Sequence, residues 1–581
     1  MIPACQLNHA DGCSRCPEAL VETSFSFQTR ADDLRAMAKD PVDLLVIGGG
    51  VTGAGVARDA AMRGIRTALI DKGDFGSGTS GRSSRLIHGG LRYLELGDLR
   101  LVFEASRERR TLLRIAPHLV WPRSFIFPVH AGARVPRWKL AAGLWLYDVL
   151  ALLRNVRPHR MLSKRKLRQA EPALRSQGLR GGGRYYDAQC NDTRLALVNA
   201  RDARRHGARV ANHVRAGRLA LSDGQVRGAH VTDVLGGGDS FTIRALVVVN
   251  ATGPWADDLR GQLGAPAVLR RTKGAHVAVP RHRIGNREAV TITSPLDGRV
   301  MFIVPWGDLA YIGTTDTDTT AGPDDLWTTA EDVVYLLRSA NAYFPDARLG
   351  PGDVRSTWAG LRTLLAAPDA AGPSQMSREH RVLEDPGGLI SVVGGKLTTY
   401  RSMAAETVDL VARRLTILDG RPAPPRAPTH REPLPGGEVR DLDVLIQGLV
   451  REGVLSPVAE RLVRTYGSEA SAVVRLGQGE PELGRPIAQG HPSIRAELVH
   501  AIRREMAMTL SDLLIRRTQV YYEAERHAVA EAPALVDLAA HELGWSPSRQ
   551  ATELTSYLDA VERGLAFRHD MPSVESGVMA P

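Results

Sequence analysis

The sequence predicts an α/β fold built on a nucleotide-binding unit and followed by a separate helical domain, on three observations. A short apolar run, Val42-Asp-Leu-Leu-Val-Ile47, leads into a glycine cluster and then into small residues at helical spacing. A proline-rich stretch, Arg421-Pro-Ala-Pro-Pro-Arg-Ala-Pro428, interrupts the chain, and beyond it strand signals nearly vanish. The 581 residues also exceed what one core usually serves, so two or more domains are expected.

In chain order, residues 1–40 read as an irregular extension. Its Cys5, His9, Cys13 and Cys16 form one C-x-x-C beside a lone histidine, short of the usual closed four-ligand zinc set, and no metal is expected. Mixed strand and helix text follows over 41–418, then a stiff proline-rich linker over 419–437. Apolar residues at three- and four-residue spacing across 494–517 and 533–541 predict a helical domain over 438–565, with a frayed tail at 566–581.

Composition narrows the function classes. With 43% hydrophobic and 24% charged residues the chain is a folded, water-soluble type. Lys and Arg number 75 against 64 Asp and Glu, an excess of 11 that favours anionic partners. Four cysteines cannot build a disulfide framework and fit a reducing, cytoplasmic setting. No stretch of about 18 or more apolar residues is present to span a bilayer, and no signal peptide is evident.

The glycine cluster Gly48-Gly-Gly50-Val-Thr-Gly53 follows its strand at once. A helix opens after it, a second strand Thr67-Ala-Leu-Ile70 follows, and Asp71 closes the unit. Strand, glycines, helix, strand and acid in this order are the context that makes a G-x-G-x-x-G a dinucleotide site. The glycines admit a pyrophosphate at the helix amino terminus, and the acid accepts from ribose hydroxyls. A carboxylate at position 71 argues against NADP. Two further strand ends, Ala245-Leu-Val-Val-Val-Asn-Ala-Thr-Gly253 and Leu389-Ile-Ser-Val-Val-Gly-Gly-Lys396, suit the long FAD better than a mobile NAD. The helix beginning near Lys396 would favour negative charge on a reduced flavin.

Several separated segments then carry a specific likeness. Thr79-Ser-Gly-Arg-Ser-Ser-Arg-Leu-Ile-His-Gly-Gly-Leu-Arg-Tyr-Leu-Glu95, Ala116-Pro-His118, Asn250-Ala-Thr-Gly-Pro-Trp255, Ile312-Gly-Thr-Thr-Asp316, Gly394-Gly-Lys-Leu-Thr-Thr-Tyr-Arg401 and Leu514-Ile-Arg-Arg-Thr518 stand in order. Over about 42–560 the chain resembles the FAD-dependent (aerobic) glycerol-3-phosphate dehydrogenases. The resemblance implies the glucose-oxidase/D-amino-acid-oxidase architecture: an FAD domain (about 41–120, 185–260, 355–418) interleaved with a mixed-sheet substrate domain (about 121–184, 261–354), and a helical cap. It implies flavin contacts at Gly48, Gly50, Gly53, Asp71, Ser80, Ser84, His88, Gly89, Gly253, Gly395 and Leu397, and substrate contacts at Arg92, Tyr93, Arg362, Arg378 and Lys396. Two departures stand out: Leu361-Arg362-Thr363 where relatives often have Val-Arg-Pro, and Arg85 where some have Lys.

The implied reaction oxidises sn-glycerol 3-phosphate to dihydroxyacetone phosphate, with hydride leaving C2 for flavin N5. A dianionic phosphate calls for several cations, and Arg92, Arg362, Arg378 and Lys396 supply four. His88 is the preferred general base, with Arg362 or Lys396 stabilising the developing alkoxide; the alternative has His88 orienting the flavin. His118 and His276 read as structural histidines, and Cys190, lacking a histidine partner, is no nucleophile.

For the electron acceptor, residues 134–168 carry ten Lys and Arg against one acid, Asp148. Within them lies Trp138-Lys-Leu-Ala-Ala-Gly-Leu-Trp-Leu-Tyr-Asp-Val-Leu-Ala-Leu-Leu153, aromatic-rich and too short to cross a membrane. Basic flanks with Trp and Tyr suit an anionic lipid surface, in keeping with the family's transfer to membrane quinone at the inner face. The rival acceptor is O2, as in glycerol-3-phosphate oxidases, whose long insertion before the last flavin motif is missing here. An amine or amino-acid oxidase and an FAD-containing nucleic-acid-binding protein are the other readings. The four cations argue against the first, and no nucleic-acid module supports the second. A homodimer is compatible with the sequence.

Overall fold

A computed structural model of the chain describes residues 24–94, 97–365 and 380–571. Val42–Ile47 is buried along its whole length, as a strand covered on both faces must be, and it sits mid-sheet. Thr67–Ile70 and then Arg209–Ala211 lie parallel on one side, Ser240–Asn250 and Ile390–Gly394 on the other. His380–Glu384 closes that edge antiparallel. The strand order therefore reverses between Val42–Ile47 and Ser240–Asn250, and the crevice beyond their carboxyl ends is where such sheets bind ligands.

One face of this sheet packs Leu44, Val46 and Leu69 against the helices Val51–Met62 and Tyr400–Asp419. The opposite face buries Leu45 and Ile47 against Leu34 and Met37. Those last two residues correct the reading of 1–40 as irregular. Phe27–Lys39 is a helix, started by a reciprocal Ser26/Thr29 capping box and tied down by Arg30, whose Nη2 donates to Asp233 Oδ1 at 2.6 Å. Cys5, His9, Cys13 and Cys16 lie outside the described residues.

Among the described residues the second sheet has ten mixed strands, with Leu269–Pro280 paired to both Leu309–Gly313 and Ser356–Leu365, and Val120–His130 paired to Leu179–Cys190. Two strands and the second half of a third, 185–190, change domain relative to the expected partition. Leu86–Ile87, Leu179–Cys190 and Ser356–Leu365 all belong to this sheet, because each finds its hydrogen-bonding partner there.

The stretch expected as a linker is a strap bound to the first domain. Arg421 Nη1 donates to Asp43 Oδ2 at 2.8 Å, Arg58 Nη1 to the Thr429 carbonyl at 3.3 Å, and the Leu434 N–H to the Ile115 carbonyl at 2.8 Å. Helices then run from Leu442–Arg451 to Pro547–Leu565. The helix expected over 494–517 breaks at Met506, at φ +53°, into Ala496–Glu505 and a wide turn Asp512–Arg517. Arg517, fully buried, reaches from that turn to Asp74 Oδ1 at 2.9 Å. Phe567 is buried in the second-sheet core, so the tail is packed at its start. Among the described residues, no helix is long and apolar enough to cross a membrane.

Candidate active site

The switch-point crevice holds a cavity of about 530 Å³ lined by Gly48, Gly50, Asp71, Ser80, Gly253 and Leu397. Gly48, at φ +110°, turns so tightly that a Cβ there would lie 2.5 Å from the Ala251 carbonyl oxygen. At Gly53 a Cβ would lie 1.8 Å from the Gly48 carbonyl oxygen, so this glycine permits the helix-to-strand approach and does not itself line the cavity. Gly50 caps the helix Val51–Met62, and Ser80 Oγ accepts from the Val51 N–H at 3.0 Å. Asp71 accepts from the Gly49 N–H at 2.6 Å and the Gly73 N–H at 2.8 Å. Burial raises its pKa and these two bonds oppose the rise.

A second cavity of about 500 Å³ adjoins the first. Thr79, Ser83, Thr363, Gly395, Lys396 and Leu397 line both. His88, Tyr93, Arg362, His276, Arg299, Arg134 and Lys139 stand around this inner chamber. Thr398 Oγ1 accepts from the His88 N–H at 3.2 Å, which ties this segment to the turn before the helix Tyr400–Asp419. Lys396 Nζ lies 3.4 Å above the Tyr93 ring. Arg362 donates through Nη1 to Asp316 Oδ1 at 2.8 Å and to the Thr315 carbonyl at 3.0 Å, and through Nη2 to Thr314 Oγ1 at 3.1 Å. Its orientation is thereby fixed and part of its charge is already balanced.

A family model described as FAD dependent oxidoreductase matches residues 43–401. One described as the C-terminal domain of alpha-glycerophosphate oxidase matches 427–550. The aerobic glycerol-3-phosphate dehydrogenases of Staphylococcus haemolyticus (strain JCSC1435) and Staphylococcus aureus (strain USA300) are 34% and 35% identical to this chain. Each alignment covers 91% of this chain, with 96% and 95% of the relatives. The X-ray structure of glycerol-3-phosphate dehydrogenase from Bacillus halodurans complexed with FAD superposes with a TM-score of 0.78 at 30% identity, covering 93% of this chain and 98% of that one. The chain belongs to the FAD-dependent glycerol-3-phosphate dehydrogenase family.

The two joined cavities fit that family's cofactor. The outer one offers a glycine turn, a helix amino terminus and a carboxylate that would hold the nucleotide end of FAD, and the segment 395–397 joins it to the inner cavity. Of the flavin residues implied by the resemblance, Gly48, Gly50, Asp71, Ser80 and Gly253 line the outer cavity, Ser84 and His88 the inner one, and Gly395 and Leu397 both. Gly89 lines neither. A Cβ on it would lie 2.4 Å from Tyr147 Oη, so close packing with that tyrosine accounts for the glycine. Of the substrate residues, Tyr93, Arg362 and Lys396 line the inner cavity. Arg92 lies within the backbone turn Leu91–Leu94, with its side chain outside the described set, and Arg378 lies outside the described residues altogether.

Sequence reasoning missed three features. His276, read as structural, lines the inner cavity, and its Nε2 lies 2.9 Å from Ser84 Oγ. Arg134 and Lys139, read with the lipid-facing basic run, line the same cavity. Lys72 borders the outer cavity 4.0 Å over the Trp255 ring, with Asp324 at 2.8 Å. Arg134 and Lys139 are themselves exposed, and each precedes a buried residue, Val135 and Leu140, that lines the same cavity. Cys190 is buried with its thiol pKa raised by that burial, in keeping with its exclusion as a nucleophile.

Proposed function

We propose that this chain oxidises sn-glycerol 3-phosphate to dihydroxyacetone phosphate and passes the electrons to a membrane quinone. The observation that carries the reading is a cation-rich chamber opening at Gly395, Lys396 and Leu397 onto a dinucleotide cavity. FAD, when bound, supplies the acceptor for the hydride of C2. Lys396 binds the phosphate, and the resemblance assigns Arg92 and Arg378 to the same group. Arg362, already sharing its charge with Asp316, is better suited to polarise the C2 oxygen than to neutralise a dianion. His88 accepts the hydroxyl proton on a ring nitrogen. His276 serves as a neutral wall: burial, together with Arg362 and Arg85, holds its pKa well below the ordinary histidine range.

The helix Arg137–Leu150 supports the membrane side of the reading. Leu140, Leu144 and Tyr147 face inward, whereas Trp138 is 74% exposed and Trp145 61% exposed. Leu152 and Leu153 extend that apolar face, and exposed Arg137, Arg154 and Arg157 border it. Apolar side chains rimmed by cations suit the interface of an anionic bilayer. Oxygen as acceptor is the second reading, favoured by the oxidase-named family model over 427–550.

Steady-state assays with glycerol 3-phosphate, glycerol and sarcosine, each with a soluble quinone analogue or with oxygen alone, test the proposal. Turnover with glycerol 3-phosphate and quinone analogue, and little oxygen consumption, is expected. Turnover of sarcosine alone would overturn the substrate reading, and equal rates with oxygen would overturn the acceptor reading.

A further inference from the structure

A buried carboxylate stands in the wall of the inner chamber. On the strand Leu179–Cys190 side chains alternate between faces, so Tyr185 and Asp187 point the same way, and both line the chamber. Asp187 is 3% exposed. Its Oδ1 accepts from the Gly89 N–H at 3.1 Å, from Tyr147 Oη at 2.6 Å and from Arg109 Nη1. Gly89 is what admits the tyrosine, since a Cβ there would lie 2.4 Å from Tyr147 Oη. Arg109 is buried, pairs the charge of Asp187 and is itself held by Asn155. Three donors, from the turn after His88 and from the helices Leu99–Ile115 and Arg137–Leu150, thus fix the carboxylate through one oxygen. The other oxygen, Oδ2, accepts no hydrogen bond among the described residues.

An ionised oxygen with lone pairs to spare is a stronger acceptor for a hydroxyl than a neutral group is. Other polar side chains of the wall are already engaged: Tyr185 Oη meets Thr291 Oγ1 at 2.9 Å, and Asp316 takes Arg362. Phe125, Phe127 and Leu140 line the same chamber and offer no acceptor. The chamber also holds the cations Lys396, Arg362 and Arg299. Its polar groups therefore sort the two ends of a small phosphorylated alcohol. A dianionic phosphate is drawn to the cations and repelled by Asp187, whereas an uncharged hydroxymethyl group gains a hydrogen bond at Oδ2.

We propose that Asp187 is a specificity-determining residue whose Oδ2 accepts the C1 hydroxyl of the substrate, so that the two ends of glycerol 3-phosphate are told apart and C2 is held between them. The inference rests on the glycerol 3-phosphate reading given above. Holoprotein is assayed with glycerol 3-phosphate and with propane-1,2-diol 1-phosphate, which lacks only that hydroxyl. The wild type should favour the first in kcat/KM by about tenfold or more. In Asp187→Asn the amide oxygen must face the three donors and its NH2 the chamber, so the preference should fall to about threefold or less. A merely structural carboxylate would lower both rates together and keep their ratio. Dihydroxyacetone phosphate and acetol phosphate differ by the same hydroxyl. Their binding to the oxidised protein, followed by flavin absorbance without turnover, should show the same preference and the same loss. Should Asp187→Asn fail to fold around an unpaired Arg109, Arg109→Met combined with Asp187→Asn removes both charges and carries the same expectation. A wild-type preference below about tenfold overturns the proposal, as does a variant that keeps it above about threefold. Wild-type protein that neither oxidises glycerol 3-phosphate nor binds its product contradicts the substrate reading itself, and is thereby told apart from failure at Asp187.

Discussion

Lys396 and Gly53 show what single side chains decide in this site. Lys396 belongs to both cavities, and its ammonium rests on the Tyr93 ring, so it is pre-oriented before any anion arrives. Truncation in Lys396→Met should lower kcat/KM for glycerol 3-phosphate by about 100-fold or more while leaving flavin content near wild type, as activity and absorbance would report. Gly53→Ala should do the reverse. A methyl 1.8 Å from the Gly48 carbonyl oxygen cannot fit without shifting the nucleotide turn. The purified variant should carry little flavin and be less stable by about 1–3 kcal/mol in denaturant unfolding. Gly53 was legible from its fixed spacing after a strand, whereas Lys396 was singled out as a substrate contact only through the family resemblance. His276 was not. Its partner Ser84 lies 192 positions away, and only the pairing of strands around Leu269–Pro280 brings the two together.

At the scale of elements, the junction between the first domain and the helical domain is built from buried ionic and imidazole groups. His118, after the helix Leu99–Ile115, packs against Gly436 and Gly467, and His500 packs edge-on to Tyr466 at 5.0 Å. Burial pushes His118 down to about 3, with Arg194 adding to the effect, and pushes His500 down to about 4 against the pull of Glu505. A histidine depressed in the fold binds its proton more tightly in the unfolded chain. Stability is then full above the ordinary histidine value near 6.5 and falls as pH drops toward 4, by about 1.4 kcal/mol per pH unit for each group. Calorimetric melting should fall steeply below pH 6, and His118→Leu should make that fall shallower. Arg517→Ala should be costly at any pH. It leaves buried Asp74 with Arg516 and Asn212 alone beside the nucleotide loop, a loss of about 3 kcal/mol with weakened flavin retention. Helices at this junction were foreseen from apolar spacing. The break at Met506 was not, because no glycine or proline marks it, and the buried contact of Arg517 with Asp74 is a long-range one. The helix Phe27–Lys39 had left a local signal in Ser26 and Thr29 and in the buried pair Leu34 and Met37.

For the whole molecule, one chain combines a nucleotide crevice, a cationic chamber and an exposed aromatic helix. The alternation of strand, glycine and helix made the first legible. The second drew on strands whose domain membership depends on pairing partners, which is why Ser356–Leu365 and the second half of Leu179–Cys190 were expected with the other domain. The third was legible in composition, and its two faces are now distinct. Vesicles rich in anionic lipid should bind the protein at low salt and release it at high salt. Trp138→Ser with Trp145→Ser should weaken that binding by about tenfold or more, as flotation would measure. The most direct test of the central claim is anaerobic addition of glycerol 3-phosphate to purified protein while its flavin absorbance is followed. Rapid bleaching of the oxidised band, slowed in His88→Ala and abolished in Arg92→Ala, is the predicted result. A flavin-loaded protein whose band survives saturating glycerol 3-phosphate would contradict it.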